Sequence, residues 1–143
     1  MKTDHRGKFT ISTDKAHLDI DMIQNYLSAI SYWAQGRPRD VTEQSIKNSL
    51  CFGVYAGNQQ VGFARVVTDY ATFGWLCDVF ILERYQGQNL GKWLIETVVA
   101  HPELHAVKRL MLATKDAHEL YRKYGGFEPL QIPEKWMTRV LVE

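Results

Sequence analysis

The chain has little net charge, few cysteines and no long apolar run. Seventeen basic residues stand against sixteen acidic ones in 143 residues, and no lysine and arginine cluster is dense enough to suggest nucleic-acid or lipid binding. No stretch approaches the roughly 20 apolar residues that a membrane span needs, and the first ten residues contain no apolar segment of a secretory signal. We therefore expect a soluble, cytoplasmic protein that binds neither nucleic acid nor membrane.

The two cysteines, Cys51 and Cys77, lie in apolar stretches typical of strands. Their spacing fits neither a disulfide framework nor a metal site, and the five histidines belong to no motif. We expect reduced core thiols and no metal. The length, a hydrophobic content of 45% and the lack of repeats or linkers predict a single domain over residues 1–143.

Hydrophobic periodicity in the first half of the chain predicts strands and helices in one compact arrangement. Residues 9–13 alternate like a strand, and residues 18–30 repeat their apolar positions at helical spacing. A second helix is expected to begin at Thr42 and to place Ile46 and Leu50 one turn apart. The β-rich runs at 52–56, 60–68 and 73–82 predict an antiparallel meander.

The second half alternates helices and strands. A helix from Leu90 is followed by a strand at 107–113, and Asp116 with Glu119 predicts a capped helix over residues 117–124. Two more strands are expected after Gly125 and Gly126, the last of them near residues 135–142. A meander followed by this alternation predicts a mixed α/β sheet.

The segment after the strand at 73–82 has the composition of a phosphate-binding turn. Residues 86–92 read Gln-Gly-Gln-Asn-Leu-Gly-Lys, and glycines before a helix let backbone N–H groups approach a pyrophosphate closely. Three residues separate Gly87 from Gly91 where a P-loop has four, and Trp93 stands where it needs Ser or Thr. Asn89 breaks the spacing of a dinucleotide fingerprint. An ordinary strand-helix turn is the remaining alternative.

Two segments together resemble the GNAT superfamily of acetyl-CoA-dependent N-acetyltransferases. Residues 86–91 resemble its signature [Gln/Arg]-x-x-Gly-x-[Gly/Ala], with Asn89 at the central glycine. Residues 117–127, Ala-His-Glu-Leu-Tyr-Arg-Lys-Tyr-Gly-Gly-Phe, resemble the second signature, Ala-x-x-Leu-Tyr-x-Lys-x-Gly-Phe, with one extra glycine before Phe127. The resemblance implies a mixed, mostly antiparallel sheet of six to seven strands, splayed between the strands at 73–82 and 107–113 and flanked by about four helices.

The resemblance also implies acetyl-CoA as the co-substrate, bound where the sheet opens. The backbone N–H of Val79 would polarise the thioester carbonyl, and Phe80 and Ile81 would pair with the pantetheine arm as a strand does. Tyr121 would be the general acid for the departing thiolate, with a core tyrosine as the alternative. The expected cofactor-binding residues are Val79, Phe80, Ile81, Gln86, Gly87, Gln88, Asn89, Gly91, Lys92 and Tyr121.

The acceptor amine needs a group that takes its ammonium proton. Asp78 is the first candidate, because polyamine acetyltransferases of the superfamily also carry an acidic residue there; a structural aspartate is the alternative. Alternation places Trp75, Cys77 and Val79 on one side of the strand and Asp78 on the other, unless the strand bulges. The acceptor pocket is expected in loops whose aromatic rings suit a cationic or aromatic amine, with Tyr32, Trp33, Arg37 and Asp69 as its lining.

These features predict direct transfer of an acetyl group from acetyl-CoA to a primary amine, with a small-molecule amine favoured. No cysteine or serine nucleophile motif indicates a covalent intermediate. Two alternatives are open: a protein or peptide N-acetyltransferase, and a non-catalytic acyl-CoA sensor. A final strand at 135–142 would allow pairing across a homodimer.

Overall fold

A single sheet of six strands forms the centre of the computed structural model, which describes residues 2–142. The strands lie side by side in chain order, antiparallel from the first to the fifth, and the sixth runs parallel to the fifth. The mixed, mostly antiparallel sheet is therefore confirmed. The strands are β1 (Thr3–Arg6), β2 (Phe9–Ser12), β3 (Leu50–Ala56), β4 (Gln59–Thr68), β5 (Phe73–Ile81) and β6 (Arg109–Met111).

Four helices flank this sheet, as predicted. They are α1 (Ile20–Asn25), which continues as a π-helical segment over Tyr26–Ile30, α2 (Arg39–Lys47), α3 (Leu90–Val99) and α4 (His118–Gly125). Within residues 2–142, no helix is long and apolar enough to cross a membrane.

Each face of the sheet buries its own apolar cluster. On one face Phe52, Val54 and Leu76 pack with Trp93 and Leu94 of α3. On the other face Phe63 and Phe80 pack with residues of α1 and α2, among them Ile23 and Ile46. Because the two clusters hold β4 and β5 from both sides, they fix the strands that carry the candidate site.

The boundaries in the first half differ from the predicted ones chiefly at β1 and at the second helix. β1 was not predicted, since its residues are polar and mostly exposed. The second helix begins at Arg39 instead of Thr42, because Pro38 is its N-cap and has the fixed φ that suits a helix start. This helix ends at Lys47, so Leu50 opens β3 and pairs with Val66.

The second half departs more strongly from expectation. Asp116 is not the N-cap of α4; Ala117 takes that place without a side-chain cap, and its N–H donates to Oγ1 of Thr114 at 3.1 Å. The expected strand at 107–113 shortens to β6. The strands expected beyond Gly126 are wrong: residues 126–142 contain only a 3₁₀ turn, Pro133–Lys135. Pro129 and Pro133 lack the N–H that a ladder requires.

The extra glycine before Phe127 has a clear role. Gly125 is the last residue of α4, where a Cβ atom would stand 2.8 Å from the Phe127 ring and 2.9 Å from Ile95. Gly126 has a φ of +71°, and its N–H donates to the carbonyl of Arg122, while the N–H of Phe127 donates to that of Tyr121. This is a glycine-terminated helix end, so the two glycines stop the helix one turn after Tyr121.

Candidate functional site

β5 contains a bulge at the point where the resemblance places the acetyl group. Phe80 pairs with Phe63 and Cys77 pairs with Arg65, so three steps along β5 match two along β4. Asp78 lies within the bulge and has a left-handed φ of +53°. The strand therefore contains the bulge that allows the Asp78 side chain to leave the side on which alternation places it.

The side chain of Asp78 points to the face of the sheet that α1 and α2 cover, which is also the face of Cys77. Simple alternation would place these two side chains on opposite faces. On the shared face Asp78 meets Arg65, the cross-strand partner of Cys77. Val79 packs instead with the cluster beneath α3, so its predicted place beside Cys77 is wrong. One extra residue in the strand accounts for both shifts, because every side chain after a bulge changes phase.

Both oxygens of the buried Asp78 carboxylate are fully engaged. Oδ2 accepts hydrogen bonds from Nη1 of Arg37 at 2.8 Å and from Nε of Arg65 at 2.9 Å, and Oδ1 accepts one from Nε1 of Trp33 at 2.9 Å. Burial alone would raise the pKa of Asp78, but the hydrogen bond from Arg37 and the charges of Arg65 and Arg37 together lower it. The carboxylate is therefore ionised and held in place by three segments of the chain.

Tyr32 connects the loop after the first helix to the residues before α4. Its hydroxyl accepts a hydrogen bond from the backbone N–H of Lys115 at 2.9 Å, and its ring meets that of Trp33 edge-on at 5.1 Å. Tyr121 lies near this contact: burial, followed by the proximity of Tyr32 and Cys77, raises its pKa to about 12. The structure thus brings Tyr32, Trp33, Arg37, Asp78 and Tyr121 to one region.

Asp69, predicted to line the same pocket, serves its own turn instead. Its carboxylate accepts hydrogen bonds from the N–H groups of Ala71, Thr72 and Phe73 and from the hydroxyl of Thr72. The bond from the Thr72 hydroxyl, with those from the backbone, holds the pKa of Asp69 well below its usual range. The carboxylate closes the β4–β5 hairpin as a side-chain-capped turn does.

The sheet opens between β5 and β6, as expected. The two strands pair only from Phe73 to Trp75, opposite Arg109 to Met111. Beyond that pairing, the edge of β5 that carries Val79, Phe80 and Ile81 has no strand partner within residues 2–142. An extended ligand could add itself there through main-chain hydrogen bonds.

The loop that follows β5 presents a helix start without a side-chain cap. Gly87 has a φ of +83°, and Asn89, the N-cap of α3, has a φ of +65° and forms no capping bond. Gln86 anchors the loop, because its Nε2 donates to the carbonyl of Ile81 at 2.9 Å. Cβ atoms added at Gly87 or Gly91 would meet nothing within 4 Å. The uncapped N–H groups and the open space suit an anionic ligand.

Lys92 lies in the first turn of α3, but its ammonium group is placed against α4. Its Nζ lies 5.3 Å from the centre of the Tyr124 ring. The hydrogen bond from Lys92 is the largest cause of the lowered pKa of the Tyr124 hydroxyl. The positive charge of Lys92 thus lies close to the loop and in contact with Tyr124.

Arg65 is the functional candidate that the sequence prediction missed. It stands between Ala64 and Val66 in the run 61–66 of β4, whose other residues are non-polar and buried, and a lone charge in such a run was the available signal. Its Nη1 donates to Oγ of Ser49 at 3.0 Å. Arg65 forms part of the wall of an open cleft of about 600 Å³ between α2 and β4, lined also by Asp40, Val41, Gln44, Ser45, Asn48, Ser49 and Val67.

Comparison with known proteins agrees with this geometry. A model of the acetyltransferase (GNAT) family matches residues 20–127. The chain belongs to the GNAT acetyltransferase family. Its fold closely resembles a GNAT-family protein from Xanthomonas campestris pv. campestris, with a TM-score of 0.89, 42% identity and coverage of 98% of this chain and 96% of the other.

More distant relatives of this GNAT acetyltransferase include named enzymes. A candidate acetyltransferase from Gibberella zeae is 34% identical over 86% of this chain and 81% of its own length. The spermine/spermidine N(1)-acetyltransferase of Bacillus subtilis is 31% identical over 77% of this chain and 78% of its own. A GNAT acetyltransferase from Elizabethkingia anophelis with acetyl-CoA bound shares the fold at a TM-score of 0.62 and 19% identity, over 83% of this chain and 76% of that one.

Replacing Asp78 by asparagine should destabilise this acetyltransferase, because it leaves Arg37 and Arg65 without their carboxylate. Breaking a buried ion pair costs about 3–5 kcal/mol of unfolding free energy. Since the folded pKa of Asp78 is depressed, its contribution is present above the unfolded pKa and is lost as the pH falls through the folded pKa. Chemical unfolding should show a lower unfolding free energy for the variant at neutral pH. Between neutral pH and pH values below 4, the unfolding free energy should fall less for the variant than for wild type.

The matched control is Asp40→Asn, because Asp40 is an exposed carboxylate in the first turn of α2. It should change the unfolding free energy by no more than about 0.5 kcal/mol. Equal stability of Asp78→Asn and wild type at neutral pH would show that the cluster does not support the fold.

Proposed function

We propose that this protein transfers an acetyl group from acetyl-CoA directly to the primary amine of a small molecule. The observation that carries the proposal is the unpaired edge of β5 at Val79 to Ile81, which lies next to the uncapped start of α3. An extended arm can pair with the strand edge, and a pyrophosphate at its end can accept hydrogen bonds from the N–H groups of the helix start. Membership of the GNAT family supports acetyl-CoA as the molecule that fits.

Backbone groups would hold most of the cofactor. The N–H groups from Gly87 to Gly91 suit the pyrophosphate, with Gln88 and Asn89 contributing to the turn, and the edge from Val79 to Ile81 suits the pantetheine amides. Lys92 adds a positive charge nearby. Gln86 supports these groups from behind through its bond to the Ile81 carbonyl.

Tyr121 has the properties of a proton donor. With a pKa raised to about 12, its hydroxyl stays protonated at every pH at which the protein would work. When bound, acetyl-CoA supplies an activated acetyl thioester. The acceptor nitrogen would enter as the free amine and form a bond to the acetyl carbon while the carbon–sulfur bond breaks. Tyr121 would donate its proton to the departing sulfur and would be reprotonated by the proton that the nitrogen loses as the amide forms.

A covalent intermediate on cysteine is disfavoured by the state of the thiols. Burial is the largest cause that raises the pKa of Cys77 to about 11 and that of Cys51 to about 12. Both remain thiols at neutral pH, and a thiol is a poor nucleophile compared with a thiolate. The acceptor amine is therefore the attacking group.

Asp78 has a different role in this proposal from the general base suggested by the sequence. Its two oxygens accept hydrogen bonds from Arg37, Arg65 and Trp33, and its pKa is lowered. A carboxylate so engaged accepts a proton poorly. We assign it as a positioning residue that holds the bulge and the loop carrying Trp33 and Arg37.

Alanine at Gly91 tests the cofactor loop without disturbing the fold. The added Cβ meets no protein atom within 4 Å, and alanine is favoured over glycine in helices by up to about 1 kcal/mol. The Cβ would, however, occupy the space through which a phosphate approaches. Calorimetry should show CoA binding about tenfold weaker in a variant whose thermal stability is unchanged or higher. Unchanged affinity would mean that CoA binds elsewhere.

Phenylalanine at Tyr121 tests the chemistry. Removing a general acid lowers turnover by about 100-fold or more, whereas CoA binding should stay close to that of wild type. The measurement is thiol release from acetyl-CoA with a panel of primary amines and, separately, peptides. Equal turnover of variant and wild type would refute the assigned proton donor. Release with peptides alone would favour a protein acceptor, and CoA binding without any release would favour a sensor.

A further inference from the structure

The cluster around Asp78 carries more positive than negative charge. Two guanidinium groups, those of Arg37 and Arg65, share the single Asp78 carboxylate. Their side chains are only 20% and 11% exposed, so water compensates the surplus poorly. No other carboxylate oxygen of residues 2–142 lies within 4 Å of either guanidinium. One largely buried positive charge is left to be matched by something outside the chain.

Of the two guanidinium groups, that of Arg65 lines the open cleft beside β4. Nε of Arg65 donates to Asp78 and Nη1 donates to Ser49, so Nη2 is left to bind a ligand. Ser49 is itself fixed, because its Oγ donates to the carbonyl of Ser45 at 2.7 Å. The guanidinium is therefore preorganised at the cleft wall, with its remaining N–H groups set by its neighbours.

The cleft also lies next to the reacting region. Arg65 is directly opposite Cys77 in the strand register, one residue before the Asp78 bulge. Tyr121 is close enough to Cys77 for that residue to contribute to the raised pKa of Tyr121. A molecule seated against Arg65 can thus extend along β5 toward Val79 and Tyr121.

We propose that the acceptor is an amine that also carries an acidic group, such as a carboxylate or a phosphate, and that Arg65 binds this group from the cleft wall. This inference rests on the acetyl transfer proposed above. It separates this protein from a polyamine acetyltransferase: a second ammonium group on the acceptor would meet guanidinium groups, and like charges at close range repel. Val41 and Val67, on the cleft wall, suit the hydrocarbon between the two ends of such a molecule.

Matched amines test the inference in the thiol-release assay. Phenylalanine is compared with phenethylamine, and β-alanine, 4-aminobutyrate and 6-aminohexanoate are compared with alkylamines of the same chain length; 2-aminoethylphosphonate and spermidine complete the set. We expect kcat/KM at least about tenfold higher for the acidic member of a pair, as one charge-assisted contact provides. The preferred ω-amino acid then measures the span from Arg65 to the reacting carbon.

Two near-isosteric substitutions at the cleft change its charge without touching the Asp78 cluster. Gln44→Glu adds a negative charge on the exposed face of α2 and should raise KM several-fold for the acidic amine only. Asp40→Asn removes one and should lower that KM. Arg65→Met should abolish the preference for the acid, with Tm reported beside it because Arg65 also supports Asp78.

The outcomes of the inference and of the proposed function are distinguishable. Thiol release that is faster with spermidine or with the amines that lack an acidic group would overturn the acidic acceptor and leave acetyl transfer standing. Equal KM shifts for both members of a pair in Gln44→Glu would do the same. CoA binding with no release for any amine or peptide would overturn the function and the inference together.

Discussion

The bulge at Asp78 is the feature on which the rest of the site depends. A non-glycine residue with a φ of +53° costs free energy and persists only where its surroundings compensate. Here the compensation comes from the guanidinium groups of Arg37 and Arg65 and the indole of Trp33. The same bulge bends β5 and changes the phase of Val79 and the residues that follow. The strain, the ion pairs and the opening of the sheet are therefore parts of one arrangement.

Local features were predictable from the sequence, and long-range pairings were not. The glycine spacing of the loop, the helix that carries Tyr121 and the meander each depend on residues close in the chain. The partners of Asp78 lie 13, 41 and 45 residues away, where no periodicity connects them. The bulge could be stated only as a condition, because alternation describes an unbroken strand. Arg65 did leave a signal, since a charge inside a buried apolar strand requires a partner.

The end of the chain shows the other limit of sequence patterns. Apolar residues near 135–142 favour a strand, but a strand also needs a neighbour for its N–H and C=O groups, and composition cannot name one. Among residues 2–142 the tail contacts β6 through Trp136 and Arg109 and forms no ladder with it. The wrong prediction was thus one of pairing, since the apolar character that prompted it is present and exposed.

The two halves of the proposed site use different groups, backbone in one and side chains in the other. This difference determines which properties of relatives can be expected of this chain. In the proposed site, backbone groups of β5 and of the loop before α3 would form the cofactor half, so any sequence with the same turns can reproduce it. Side chains from α2, β4 and the loop after the first helix would form the acceptor half. A relative at 31% identity that is named for polyamines can share the first half and still differ in the second. The acceptor is therefore better inferred from the charges that Asp78 leaves unmatched than from that name.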